Sequence, residues 1–331
     1  MRFAFEDHQV AVRDTVGSLL EKRCDSGMLE RCWEVGSAEP MLALWRELAS
    51  VGAQGLLAPD SAGGSQLDGL TMAVVLAECG RAALPLPVME TAAVAVPLIA
   101  AAGDPASVLP SIVDGSSIVT LASGPSRHAP ASTVAGYFLV ASDGEAALYP
   151  RDQVELEPVR SVDRTRDLAV VTPRGEGVPI ATKAGVDELA ALASSAVLLG
   201  LGRALVETTV AYVKDRKQFG VAVGSFQAVK HHLANAHLRT EFAAPAVWAA
   251  SHSCYPGEPG GADRLRMISM AKAMASDAAS FAAKVALQCH GAMGYTDDYP
   301  LHMWLKRVWC LAAAHGSAAA HRSLVATELG I

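Results

Sequence analysis

Three short stretches of this chain combine residue types and spacings that suit chemistry. The first, Lys214-Asp215-Arg216-Lys217-Gln218-Phe219-Gly220, sets three cations within four positions. A guanidinium offers phosphate oxygens a planar donor fork, so the cluster suits a pyrophosphate. It is too small to track a nucleic-acid backbone. The second, Gln288-Cys289-His290-Gly291-Ala292-Met293-Gly294-Tyr295-Thr296, is a glycine-rich turn between helical patterns. Glycine there lets the main chain approach a ligand closely. The third, Ala314-His315-Gly316-Ser317, offers an imidazole, which in its neutral form accepts a proton.

Other polar groups read as ordinary structure. His231 and His232 are adjacent, so on a helix they point to different sides and make no facing metal pair. Asp297 and Asp298 precede a helical pattern and read as a cap rather than an acid–base pair. Trp304 and Trp309 read as core or interface aromatics. The six cysteines (Cys24, Cys32, Cys79, Cys254, Cys289 and Cys310) form no C-x-x-C pair, which argues against a zinc site or a disulfide framework. No metal is expected.

The 331 residues suffice for two or three domains with sizeable cores. Hydrophobic residues make up 51% and charged residues 18%, which suits a chain with much buried surface, oligomer interfaces included. A net charge of −7 leaves no electrostatic case for binding nucleic acid. The start, Met1-Arg2-Phe3-Ala4-Phe5-Glu6-Asp7, lacks the apolar core of a signal peptide. The apolar run from Ala92 to Ala102 is far shorter than the roughly 20 residues a membrane span needs. The expectation is a cytoplasmic protein.

Hydrophobic spacing predicts the elements that must position these stretches. Residues 1–103 read as a helical domain, with helices over Glu6–Arg23, Leu42–Val51, Leu67–Cys79 and Met89–Ala102. Gly80 is expected to cap the third of these. Residues 104–182 read as a reduced β-domain with strand-like runs Ile118–Leu121, Gly136–Val140 and Leu168–Thr172. Residues 183–331 read as a four-helix bundle: Leu189–Lys214, Phe226–His252, Arg264–Cys289, and Leu301–Leu329 with a break at Gly316. Tyr255-Pro256-Gly257-Glu258-Pro259-Gly260-Gly261 is a turn between the second and third.

The set Arg216-Lys217-Gln218-Phe219-Gly220 with Phe226-Gln227, followed by Gln288–Thr296, resembles the acyl-CoA dehydrogenase family. So does the order of helical domain, β-domain and bundle, which implies an α+β multidomain, acyl-CoA dehydrogenase-like fold. Leu44–Ala49, the Pro59–Gly64 loop and Ala77–Arg81 follow the family's order in the first domain. In the family the Arg reaches the pyrophosphate of an FAD held mainly by the neighbouring subunit, and the Phe packs on the flavin nucleotide. The resemblance therefore assigns cofactor binding to Arg216, Gln218, Phe219, Phe226, Gln227, Gln288, Gly291 and Ala292, with Ala292 standing where the family usually has Gly.

The reaction implied is α,β-dehydrogenation of an acyl-CoA thioester, in which a carboxylate removes the α-proton while the β-hydride goes to the flavin. The family's base is most often a Glu in a Glu-Gly-Thr/Ser turn, and here His315 stands in its place. Some members carry the Glu on the first bundle helix. Counting back from Arg216 lands on Ala190, and Glu188, two residues off, is expected about 200° round the helix. No catalytic residue is thus expected. The family's same-subunit flavin cradle is eroded too. Leu121-Ala122-Ser123-Gly124-Pro125 lacks the acid, no Trp occurs between Trp45 and Trp248, and Ala319 replaces a polar residue.

The half of the site that reaches a neighbour's FAD survives, and the half that holds FAD in the same chain does not. The resemblance therefore implies a non-catalytic subunit of an actinobacterial α2β2 acyl-CoA dehydrogenase of steroid side-chain degradation, sharing FAD with a catalytic partner. Two alternatives stand beside it. One is a homo-oligomer with its own FAD, using His315 or an unrecognised acid such as Glu241. The other is a flavin-free scaffold.

Overall fold

Short polar side chains set where the first helices begin. Asp25 accepts from the Met28 amide (2.7 Å) and starts α2 (Ser26–Val35), just after α1 (Asp7–Arg23). Following α3 (Leu42–Ser50), Asp68 accepts from the Thr71 amide (2.6 Å) and starts α4 (Gly69–Arg81). The computed structural model describes residues 4–124, 126–142, 144–255 and 263–331. Pro125 and residues 256–261 of the expected glycine–proline turn lie outside them.

Two N-terminal expectations are corrected. Gly80 lies inside α4 rather than capping it, and it serves a helix crossing. A Cβ on Gly80 would sit 2.1 Å from the Val197 carbonyl oxygen. The stretch expected as one helix over Met89–Ala102 begins as a π-helical segment, Met89–Ala95, and continues as α5 (Val96–Ala101). All seven residues of that segment are buried, Glu90 among them. A short α6 (Leu109–Val113) follows.

Next come two small sheets. The first contains β1 (Val119–Ala122), β3 (Tyr137–Ser142), β4 (Glu145–Pro150) and β7 (Val178–Thr182), in the order β1-β3-β4-β7. β1 runs parallel to β3, with Leu121 opposite Leu139. The second contains β2 (His128–Ala129), β5 (Val154–Val159) and β6 (Leu168–Pro173), in the order β2-β6-β5. The strand-like runs expected near 118, 136 and 168 are β1, β3 and β6. β2 is only two residues long and β4 and β7 lack a regular alternation, whereas β5 does alternate over Val154–Glu157 and went unread.

Thr182 accepts from the Gly185 amide (3.2 Å) and starts α7 (Lys183–Asp215), 33 residues long. A hairpin, β8 (Lys217–Gln218) and β9 (Val221–Ala222), leads into α8 (Gln227–Ser253). α9 (Arg264–His290), α10 (Leu301–Ala313) and α11 (Ala318–Glu328) complete the C-terminal helical region. The expected last helix is broken between α10 and α11, where His315 (φ 57°) and Gly316 (φ 93°) turn the chain. α7 is apolar on nearly all sides because α4, α8, α9 and α10 pack around it. It is long and apolar enough to cross a membrane, yet 89% of its apolar window is buried inside this fold.

Candidate functional site

At the far end of α7 the chain turns back through the β8–β9 hairpin. Phe219 (φ 53°) and Gly220 (φ 81°) form its tip, and the Val223 amide closes it on the Arg216 carbonyl (2.8 Å). Phe219 is 93% exposed, with its ring edge-on to Phe226 at 6.3 Å between centroids. Gln218 turns its amide onto the Lys217 carbonyl (2.8 Å), and Gln227 opens α8 on the surface. The exposed Arg216 side chain has no hydrogen-bond or ion-pair partner among the described residues.

The end of α9 lies beside it. Tyr212, one turn before Arg216, stacks on His290 with centroids 4.1 Å apart, and Tyr299 flanks both. This aromatic stack joins the α7 end to the α9 end, so the Arg216 hairpin and the Gly291 turn share one end of the helical region. Gly291 has φ 60° and ψ −137°, a conformation that a residue with a Cβ rarely adopts. No atom lies within 4 Å of where its Cβ would be, so its backbone is open to an approaching group. Gln288, Ala292 and Tyr295 are exposed beside it. The eight residues expected at a cofactor are thus all on the surface, uncovered by the described parts of their own chain.

A second feature is a cleft open to solvent on one side. A cavity of about 780 Å³ lies between the small sheets and the helical region. α7 gives it Ala184, Asp187, Glu188 and Ala191, a spacing that puts one face of the helix on the wall. Leu121 and His128 line it from the strands and Ser123 from just after β1, Glu90 from the π-helical segment, His315 from the bend between α10 and α11, and His321 and Leu324 from α11.

The geometry corrects the expected facing of α7. Glu188 reaches the cavity wall, whereas Ala190 is buried in the core and is not on that wall. Neighbouring residues on a helix point about 100° apart, so spacing from Arg216 alone does not settle which of them meets the wall. Glu188 accepts from Arg264 Nε at 2.6 Å. Glu241 is not on this wall either. It receives a two-bond fork from Arg203 (2.8 and 2.7 Å), which holds its carboxyl below the usual range.

His315 does line the cavity, and its carbonyl accepts from His321 Nε2 at 2.9 Å. Burial, with Lys272, Arg166 and His321 nearby, pushes its imidazole down to about 3. A base that weak is poorly matched to proton abstraction near neutral pH. Gly316 is required at this bend, because a Cβ there would lie 2.5 Å from His321 Nε2. Ser317 caps α11 by accepting from the Ala320 amide (3.2 Å).

The remaining polar candidates play structural parts. His231 and His232 are exposed, and no metal-binding group of His, Cys, Asp and Glu occurs among the described residues. Asp297 is an ion-pair partner of Lys306 (3.0 Å) rather than a cap, since Pro300 holds the N-cap position of α10 and no side chain caps it. Sequence reasoning missed Glu90 and Arg166. A lone carboxylate within the apolar run from Val88 to Val96 was the available signal for Glu90, and Arg166 had none.

Comparison with known proteins bears on the family and the fold. The model of the acyl-CoA dehydrogenase N-terminal domain matches residues 6–116, and that of the C-terminal domain matches residues 175–330. The chain is 33% identical over 316 residues to the acyl-CoA dehydrogenase IpdE2 of Mycobacterium tuberculosis, covering 95% of this chain and 92% of the relative. A variant of the Tcur3481-Tcur3483 steroid ACAD superposes with a TM-score of 0.87 at 25% identity, covering 98% of both chains. The ChsE4-ChsE5 complex from Mycobacterium tuberculosis shares the fold, with a TM-score of 0.86 at 19% identity over 100% of this chain and 99% of that one.

Proposed function

The chain belongs to the acyl-CoA dehydrogenase family, a family of FAD-dependent oxidoreductases, and from that premise we propose that it is the non-catalytic subunit of a heteromeric member. In this reading it completes an FAD site on a catalytic partner, in an α2β2 cytoplasmic assembly acting on a steroid-derived acyl-CoA thioester. The steroid assignment draws on the likeness to the Tcur3481-Tcur3483 steroid ACAD.

The observation that carries the reading is the uncovered end of the helical region. There an unpaired guanidinium (Arg216), a phenyl ring presented to solvent (Phe219) and an open glycine backbone (Gly291) stand together. That set fits the nucleotide and pyrophosphate of FAD. Arg216 would donate to phosphate oxygens, Phe219 and Phe226 would pack on the nucleotide, and Gln288, Gly291 and Ala292 would offer polar atoms and backbone beside it. Gln218 and Gln227 would supply further donors. When bound, FAD supplies the hydride acceptor. The proton-abstracting carboxylate would come from the partner, because His315 is held neutral and is a poor base.

A second reading keeps one observation in its favour. Glu188 stands on the cavity wall, so a homo-oligomer with its own flavin would have a carboxylate at hand. Against it, Arg264 engages that carboxylate at 2.6 Å.

The test is the visible spectrum and mass of the chain, alone and co-expressed with a neighbouring acyl-CoA dehydrogenase-like chain. A colourless lone chain that becomes a yellow tetramer with about half a flavin per subunit, as one surviving half-site implies, supports the proposal. A yellow homo-oligomer with one flavin per chain that loses turnover on Glu188→Gln favours the second reading. A yellow complex whose flavin content ignores Arg216→Ala leaves a scaffold role.

A further inference from the structure

We infer that the outward face of α8 and α9 docks the catalytic partner, which meets it with an apolar patch rimmed by acidic residues, and that the face does not pair with a second copy of this chain. This rests on the heteromeric reading and adds to it the surface used and the charge that selects the partner.

Helical spacing sets the apolar part of this face in two stripes. On α8, Leu238 and Phe242 stand one turn apart and both are exposed, Phe242 to 72%. On α9, Met270 and Met274 stand one turn apart and exposed, and the partly buried Phe281 continues the stripe two turns on. The two helices pack against each other. The Arg239 guanidinium lies over the Phe281 ring, 4.0 Å from its centroid, so the stripes form one surface. Apolar side chains exposed singly are ordinary, whereas a contiguous set marks a contact. Phenylalanine and methionine are enriched at protein interfaces, and the flexible methionine side chain adapts to what it meets.

Charge decides what covers the face. α8 and α9 contain two carboxylates, and arginines from other helices take both: Arg203 pairs with Glu241, and Arg322 with Asp277. Lys230, Arg239 and Lys284 are exposed and form no ion pair among the described residues. The face is therefore basic, on a chain whose net charge is −7. Two copies meeting through it would set like charge against like, which suppresses pairing. A partner with Asp and Glu around an apolar patch matches it, and the attraction steers the approach. Position favours the flavin-bearing partner over a lipid surface. Gln227 opens α8 and Gln288 lies in the last turn of α9, so the face runs into the end where Arg216 and Gly291 stand. A chain lying along α8 and α9 would bring its FAD to that end.

The experiment is biolayer interferometry of the full chain against the neighbouring acyl-CoA dehydrogenase-like chain at low and moderate salt, beside sedimentation of the chain alone. Phe242→Ala is expected to weaken the complex at least about tenfold, and Phe242→Leu, which keeps an apolar side chain, to keep most of the affinity. Lys230→Glu with Lys284→Glu should slow association about threefold or more at low salt and flatten its salt dependence. All three positions are exposed, and circular dichroism checks that each variant folds. Self-association of the lone chain that Phe242→Glu abolishes would overturn the inference, because the face would then pair two copies. Capture of the lone chain by phosphatidylserine vesicles that the partner does not displace would also overturn it. Flavin content separates the remaining failures. A yellow complex whose affinity and association rate ignore every variant sinks the face alone, and a partner that never binds sinks the heteromeric reading with it.

Discussion

Arg307 and Asp163 lie 144 positions apart and meet inside the protein, the Arg307 Nε donating to the Asp163 carboxylate. The same guanidinium donates to the Leu84 carbonyl (2.7 Å) and the Thr165 hydroxyl (2.7 Å). One buried cation on α10 thus joins the N-terminal helices, the strand region and the C-terminal helices. Burial raises the Asp163 carboxyl, but Arg307 outweighs it and holds the group below the usual carboxylate range. Removing Arg307 alone strands a buried charge, which costs about 3–5 kcal/mol. Arg307→Met is expected to lose stability on that scale in urea unfolding, and Arg307→Met with Asp163→Leu to recover part of it. A single-variant loss below about 1 kcal/mol would mean that the three regions are joined elsewhere.

Gly80 and Gly200 make a second long-range junction, and here the missing side chains matter. A Cβ on Gly200 would fall 1.8 Å from the Ala77 carbonyl oxygen, and one on Gly80 would fall 2.1 Å from that of Val197. Alanine raises helix propensity by about 1 kcal/mol over glycine, but overpacking a close crossing costs about 1–3 kcal/mol or more. Gly80→Ala and Gly200→Ala are therefore expected to lower the melting temperature. Gly27→Ala in α2, where the nearest atom is 3.6 Å away, should leave it unchanged or raise it.

Stability should fall on mild acidification. Burial lowers His290, His302 and His321, and pushes His315 down to about 3. These imidazoles take up protons less readily in the fold than in the unfolded chain, where they do so below about pH 6.5. The unfolded state then binds more protons, so stability drops as pH falls from about 6.5, and the His315 share of the loss ends near pH 3. Calorimetric melting between about pH 7 and 5 reads the slope. His315→Gln should flatten it, and a slope of the opposite sign would mean that the histidines gain charged partners on folding.

How much was legible in the sequence depended on the range of the interaction concerned. The long C-terminal helices and the break near Gly316 follow from local periodicity and turn chemistry, whereas the α+β acyl-CoA dehydrogenase-like fold came from the family resemblance of the Arg216 and Gln288 segments and the order of the domains. The Arg216 and Gly291 segments are contiguous runs, so they too could be read locally. The cavity wall could not. Counting from Arg216 put Glu188 off the required face, whereas in the fold it lines the cleft, because which face of α7 is lined depends on the strands and helices packed against it. Glu90 sits in a π-helical segment buried on every side, which leaves no amphipathic period to show where the carboxylate points. Gly80 looked like a cap because a terminal glycine and a crossing glycine are identical until the partner helix is in place.

Tyr212 and His290 furnish a way to separate positioning from contact at the proposed cofactor face. Their rings stack at 4.1 Å and tie the Arg216 end of α7 to the Gly291 end of α9, while neither belongs to the exposed set. Arg216→Ala and Phe219→Ala remove exposed groups, so each should change the stability of the lone chain by no more than about 0.5 kcal/mol while lowering the flavin content of the complex. Tyr212→Ala opens the stack and lets the two ends shift, so it should lower both the melting temperature and flavin retention. Tyr212→Phe keeps the ring and gives up only the long contact to the His290 carbonyl (3.5 Å), so flavin retention should stay near that of the unaltered complex. Flavin absorbance per subunit after gel filtration, read beside the melting temperature, distinguishes the two behaviours. If Tyr212→Ala destabilised the chain but left flavin bound, the aromatic stack would be structural only, and the placement of Arg216 would have to come from the hairpin itself.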